Sequence, residues 1–137
     1  MTRRQTLVSL VVVAAVFSGW LLVNPGVGFG ISRFGVTTYE RIPLPYFDVQ
    51  VRADGAFRVV AKSHDIDGER LAWLLTPQSP QVLVVGLGWE DSGRLASAFR
   101  APAGTEVLAL RTGEAIATYN ALRARGTRVA IHVHSTC

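Results

Sequence analysis

Val82-Leu83-Val84-Val85-Gly86-Leu87-Gly88 decides the fold: four consecutive apolar residues, three of them β-branched, run into two glycines. A strand that is apolar on both faces belongs inside a covered sheet, and parallel sheets are covered by helices. Val107-Leu108-Ala109-Leu110 and Val129-Ala130-Ile131 repeat the pattern. Between these runs, Ser92 to Phe99 and Thr112 to Arg125 are expected to be helices. Thr112 followed by Glu114 and Ala115 reads as an N-cap with an acidic first turn, and Gly126 as a C-terminal cap. Upstream, Ile66 to Leu75 sets Leu71, Leu74 and Leu75 at helical spacing around Trp73, and Thr76-Pro77 ends that helix. Asp65, Asp67 and Glu69 at its start are read as capping and dipole partners rather than paired catalytic carboxyls. Further upstream, Phe47-Asp48-Val49-Gln50-Val51 alternates apolar and polar, Asp54-Gly55 turns, and Phe57-Arg58-Val59 resumes, the signature of a hairpin. The order hairpin, α, β, α, β, α, β predicts an α/β domain over residues 46–137. It has three layers, with a central, largely parallel sheet plus the β-hairpin.

Residues 25–45 contain Gly26, Gly28, Gly30 and Gly35, then Pro43 and Pro45, and are expected to be a linker. Phe29, Ile31 and Phe34 within it suggest contact with the domain or with a membrane surface. Residues 1–24 hold a chargeless apolar stretch from Thr6 to Val23, which as a helix spans about 27 Å. Arg3 and Arg4 precede it, Trp20 lies near its far end, and Asn24-Pro25-Gly26 stops it, as in a transmembrane anchor. A cleaved signal peptide begins in the same way, but its apolar core is usually shorter and no Ala-x-Ala follows; a misplaced start is the other alternative. The uncleaved anchor is the favoured reading. The two arginines place the N-terminus in the cytoplasm and the C-terminal domain on the outer side of a single-pass membrane protein.

The chain has 137 residues with 14 basic and 10 acidic side chains. Thirteen of the basic residues are arginines, scattered rather than in a stripe, so nucleic acid is not an expected partner. Arg123, Arg125 and Arg128 gather where a helix C-terminus favours cations. The single cysteine excludes an internal disulfide framework and a cysteine-based zinc finger.

Two places could carry a ligand. The crevice beyond the strand ends, at Gly86, Gly88, Trp89, Glu90 and Asp91, is where open α/β sheets bind small molecules. Asp91 stands where a dinucleotide fingerprint has its third glycine, so the glycines are read first as a sharp turn. His132, His134 and Cys137 form His-x-His-x-x-Cys. The two imidazoles face one side of a strand, and the three groups suit zinc or copper. Structural histidines are the favoured reading. Cys137 as a nucleophile would need His134 as its base. Ser92, Ser97 and Ser135 lack a Gly-x-Ser-x-Gly elbow. No cofactor is expected, and no strong catalytic motif is present.

Thr112, Ala115, Tyr119-Asn120, Leu122, Gly126, Arg128-Val129 and His134-Ser135-Thr136-Cys137 stand at the spacing of one family. The chain resembles the small α/β domain family that includes the adipogenesis-associated Mth938-type protein and a mitochondrial complex I assembly factor. The resemblance covers roughly residues 46 to 137 and is strongest from Thr112 onward. It implies a three-layer α/β fold and, because some members assemble membrane complexes, a protein partner rather than a substrate; it transfers no catalytic residue. His132 departs from an ordinarily apolar family position, and the N-terminal span is not typical. The expected function is a membrane-anchored, non-enzymatic binding or assembly-factor-like module that touches lipid through its first helix. The alternative is a small-ligand or metal/redox protein.

Overall fold

A computed structural model describes residues 2–137. Helix α1 (Arg3–Val23) opens with a capping box, in which Thr2 accepts from the Gln5 amide and Gln5 answers to the Thr2 amide. None of its residues is buried.

Strands β1 (Phe29–Arg33), β2 (Val36–Tyr39) and β3 (Ile42–Pro45) then form a three-stranded antiparallel sheet. The segment expected to be a linker is therefore ordered sheet. The prolines are tolerated because β3 is an edge strand, where a missing N–H costs no ladder bond. Phe29, Tyr39 and Leu44 turn inward and join the main core. Phe29 stacks edge-on against Tyr39 at 5.0 Å and Tyr119 at 5.3 Å. Gly30 is required by close approach, since a Cβ there would meet Asn24 Cα at 2.8 Å.

Asn24 itself fastens the helix to this sheet. It is fully buried, accepts from Ile31 N at 2.9 Å and from the Thr38 hydroxyl at 2.6 Å, and donates to Trp20 O at 3.2 Å. Arg41 Nε donates to its carbonyl at 3.2 Å.

The hairpin follows as expected, with β4 (Asp48–Val51) and β5 (Phe57–Val60) in antiparallel register. Next come β6 (Asp65–Ile66), the short helix α2 (Gly68–Leu71) and a 3-10 turn (Ala72–Leu75). Asp67 caps α2 by accepting from Arg70 N at 2.8 Å. Strands β7 (Val82–Gly86), β8 (Arg94–Leu95) and β9 (Glu106–Leu110), helix α3 (Thr112–Ala124) and strand β10 (Val129–Val133) complete the chain.

The main sheet runs β5-β4-β10-β7-β9. Strands β10, β7 and β9 are parallel, and the hairpin adds to β10 antiparallel. Alternation splits the sheet's side chains between two cores. Val82, Val84, Ile131 and Val133 face α3 and the small sheet, whereas Leu83, Val85 and Ala130 face α2, Leu71 and Leu74.

Three further expectations are corrected. Ser92 to Phe99 forms no helix; Gly93 turns tightly enough that a Cβ would meet Leu87 O at 2.7 Å, and the chain runs on into β8, beside β6. The apolar run in β9 is an edge strand, paired on one side only and leaving Glu106 and Ala109 exposed. Thr112 is the first helical residue rather than the cap, because its side chain is used elsewhere, as described below.

Candidate functional site

Gln50 on β4 lies opposite His132 on β10. That register puts Asp48, Gln50, His132 and His134 on the same face of the sheet, the one turned from α3. All four are fully buried. Gln50 spends its amide completely. Nε2 donates to Arg70 O at 2.8 Å and contacts His132 Nδ1 at 3.2 Å, while Oε1 accepts from Arg58 Nε at 3.0 Å. His132 Nδ1 is thereby an acceptor, which requires a neutral ring. Burial pushes its pKa down to about 4, outweighing the attraction of Asp48 at 3.9 Å.

Asp48 is the hub. Its carboxylate accepts from His134 Nδ1 at 3.0 Å, Ser135 N at 3.2 Å and Ser63 N at 3.3 Å. Burial raises its pKa, but the His134 hydrogen bond and charge prevail, leaving it below the ordinary carboxylate value. His134 is held correspondingly high by that hydrogen bond, against the effect of burial.

The opposite nitrogen of His134, Nε2, is buried and has no hydrogen-bond partner. Its ring stands edge-on to that of His64 at 5.0 Å between centroids. His64 Nε2 lies 3.1 Å from Cys137 Sγ. The His64 contact, then Thr136 and Ser92, lower the Cys137 thiol to about 7. One ligand atom each from His64, His134 and Cys137 lies within 4.8 Å of the others.

The trio of His132, His134 and Cys137, the alternative to structural histidines, is brought together only in part. His134 and Cys137 do meet, but His132 turns to Gln50 and Asp48, and His64 takes its place beside the thiol. The tail is responsible. His134 N donates to Gly86 O at 3.1 Å and extends the parallel pairing by one step; the chain then crosses the end of β7. His64 is positioned by its own carbonyl, which accepts from Arg94 N at 2.6 Å.

The candidate crevice at Gly86–Asp91 holds this same tail. Trp89 donates from Nε1 to Ser135 O at 3.2 Å and from its backbone N to Thr136 O at 3.3 Å. Gly88 adopts φ +102°, and a Cβ there would collide with the Thr136 and Cys137 carbonyls, so only glycine fits. Ser92 Oγ donates to the Cys137 carbonyl. Glu90 is exposed, and Asp91 pairs with Arg111 at 2.6 Å. The space at the strand ends is filled by the chain itself.

The residues quoted for the family resemblance stitch elements together. Thr112 Oγ1 donates to His134 O at 2.6 Å and accepts from Gly88 N at 3.0 Å, joining the β7 turn to the tail. Asn120 clasps β1 through both backbone groups of Phe29, at 3.0 and 2.9 Å. Tyr119 and Tyr39 hydroxyls both accept from Arg123, at 3.2 and 2.6 Å. Ala115 packs in the main core. Gly126 takes φ +80° after α3, and Arg128 N donates to Gln81 Oε1 at 3.0 Å.

Residues 30–134 match the profile of a family described as protein of unknown function (DUF498/DUF598). A solved structure named MT938 is 31% identical, with a TM-score of 0.64 over 80% of this chain and 98% of its own. A conserved hypothetical protein of Pyrococcus horikoshii OT3 is 23% identical, with a TM-score of 0.66 over 80% of this chain and 98% of its own. A Bordetella pertussis protein described as a Mth938-like domain is 18% identical, with a TM-score of 0.54 over 80% of this chain and 86% of its own. No curated protein matches the chain.

Proposed function

The chain belongs to the DUF498/DUF598 family of Mth938-like domains, whose function is unknown, and from that premise we propose that it is a membrane-tethered binding module. One observation carries the reading: α1 is long and apolar enough to cross a membrane, and none of its residues is buried. Its chargeless part, Thr6 to Val23, reaches about 27 Å, close to the thickness of a bilayer's hydrocarbon core. A helix satisfies its own backbone hydrogen bonds, so lipid can solvate it without loss.

Asn24 gives this tether a stiff junction rather than a flexible one. Phe34, Ile42 and Tyr46, from the small sheet just after the tether, are 46–68% exposed and suit the bilayer interface. Arg3 and Arg4 orient the N-terminus to the cytoplasm and the domain to the outer side. The domain's role there is to hold a protein partner, in the manner of an assembly factor.

A C-terminally tagged chain in intact cells tests the arrangement. Added protease should remove the tag while the cytoplasm stays sealed. Cross-linking before detergent extraction should recover a reproducible partner. A protected tag would refute the sidedness, and repeated recovery of the chain alone would refute the binding role.

A further inference from the structure

We propose that His64, His134 and Cys137 form a zinc site with an open fourth position, at the point where β10 and β7 end side by side. Three independent features converge there. The first is the donor set, one thiol and two imidazoles whose ligand atoms all lie within 4.8 Å. Sulfur with nitrogen suits Zn2+ and does not suit Mg2+ or Ca2+, which take oxygen. Around tetrahedral zinc such atoms would stand about 3.3–3.6 Å apart. His64 Nε2 and Cys137 Sγ are already at 3.1 Å, and exposed His64 is free to adjust.

The second feature is His134. Its side chain is completely buried, and Nε2 lacks any hydrogen-bond partner. A buried polar atom left bare is costly, and a metal bond would satisfy it. The third is Asp48, which accepts from His134 Nδ1 at 3.0 Å. A carboxylate behind a histidine fixes the tautomer that offers Nε2 as the ligand and orients the ring, the usual support of a zinc-bound imidazole. Asp48 is thus a positioning residue.

Ser92 and Trp89 pin the tail so that Cys137 is presented rather than frayed. With three protein ligands, the fourth position is left for water or an incoming donor, as in reactive rather than purely structural zinc sites. Binding displaces the proton from the Cys137 thiol and leaves zinc in its +2 state.

The full chain, reduced and stripped of metal in detergent micelles, is titrated with Zn2+ against a chromophoric chelator. One equivalent should bind. Cys137→Ser and His64→Ala, both at sites accessible to solvent and remote from the cores, should each weaken binding by at least about tenfold. His132→Gln should bind as the parent does. Co2+ in place of Zn2+ should show thiolate-to-metal charge transfer that disappears in Cys137→Ser. Absence of a stoichiometric metal would overturn the proposal. So would Cys137→Ser and His64→Ala binding like the parent, or His132→Gln losing as much as they do, with circular dichroism showing each variant folded.

Discussion

Helix α1 and strand β10 are both apolar runs, yet α1 has no buried residue and β10 has no exposed one. The difference lies in the backbone. A helix closes its hydrogen bonds within itself, so its apolar side chains can leave the protein for lipid. A strand must find its hydrogen-bond partners on neighbouring strands, and β10 finds them on both edges, in β4 and β7. Hydropathy alone does not separate these fates; length and period do.

The sharpest way to break the comparison is to damage each run and see what fails. Ile131→Ala in β10 should cost about 2–5 kcal/mol of domain stability, read from denaturant unfolding, and leave membrane partitioning unchanged. Leu10→Arg in α1 should do the reverse. It should penalise membrane insertion by about 2.5–3.5 kcal/mol with no shift in the unfolding midpoint of the domain. A lowered midpoint in Leu10→Arg would mean that α1 packs on protein after all.

His132 in β10 and His134 just beyond its end sharpen the contrast through pH. Unfolded, His132 titrates near 6.5, and folded near 4, so its stabilising contribution is complete above pH 6.5. As pH falls from 6.5 toward 4 the chain should lose about 3 kcal/mol on this account. His134 works in the opposite sense. Its raised pKa contributes stability that is complete below its unfolded value and lost as pH rises through the folded one. His132→Gln keeps an acceptor for Gln50 and removes only the acid-side loss. Stability curves from pH 7 to 4 should therefore flatten or rise in that variant. An unchanged acid limb would show that His132 is not the buried neutral group described.

The junction between tether and domain carries the smallest expected effect. Asn24→Ala strips the acceptor from Ile31 N and from Thr38, at about 1–3 kcal/mol, and should loosen α1 from the small sheet. Hydrogen exchange at Ile31 N should accelerate, while β7 and β10 amides stay protected.

Much of this architecture is legible in the sequence because its signals are local. The branched run in β7, the Asp54-Gly55 turn and the helical stripe behind Thr112 each state their own geometry. Residues 25–45 mislead because glycine and proline read as flexibility, when here they serve close approach and an edge strand. Phe29 and Tyr39 are the local hint, two aromatics too costly to leave in water. The His-x-His-x-x-Cys spacing marks two members of the cluster and misassigns the third. His64 and Cys137 are 73 residues apart, and Asp48 and His134 are 86 apart, so only pairing register brings them together. Asp48 gives no local warning, because it stands at a polar position of an alternating strand and so reads as part of a solvated face, whereas the fold buries it.

Extraction of native membranes with alkaline carbonate tests the tether directly. The full-length chain should remain in the membrane pellet, and Leu10→Arg should shift a measurable share to the supernatant. Full-length chain released entirely to the supernatant would contradict the account, leaving α1 in need of a protein cover instead of a bilayer.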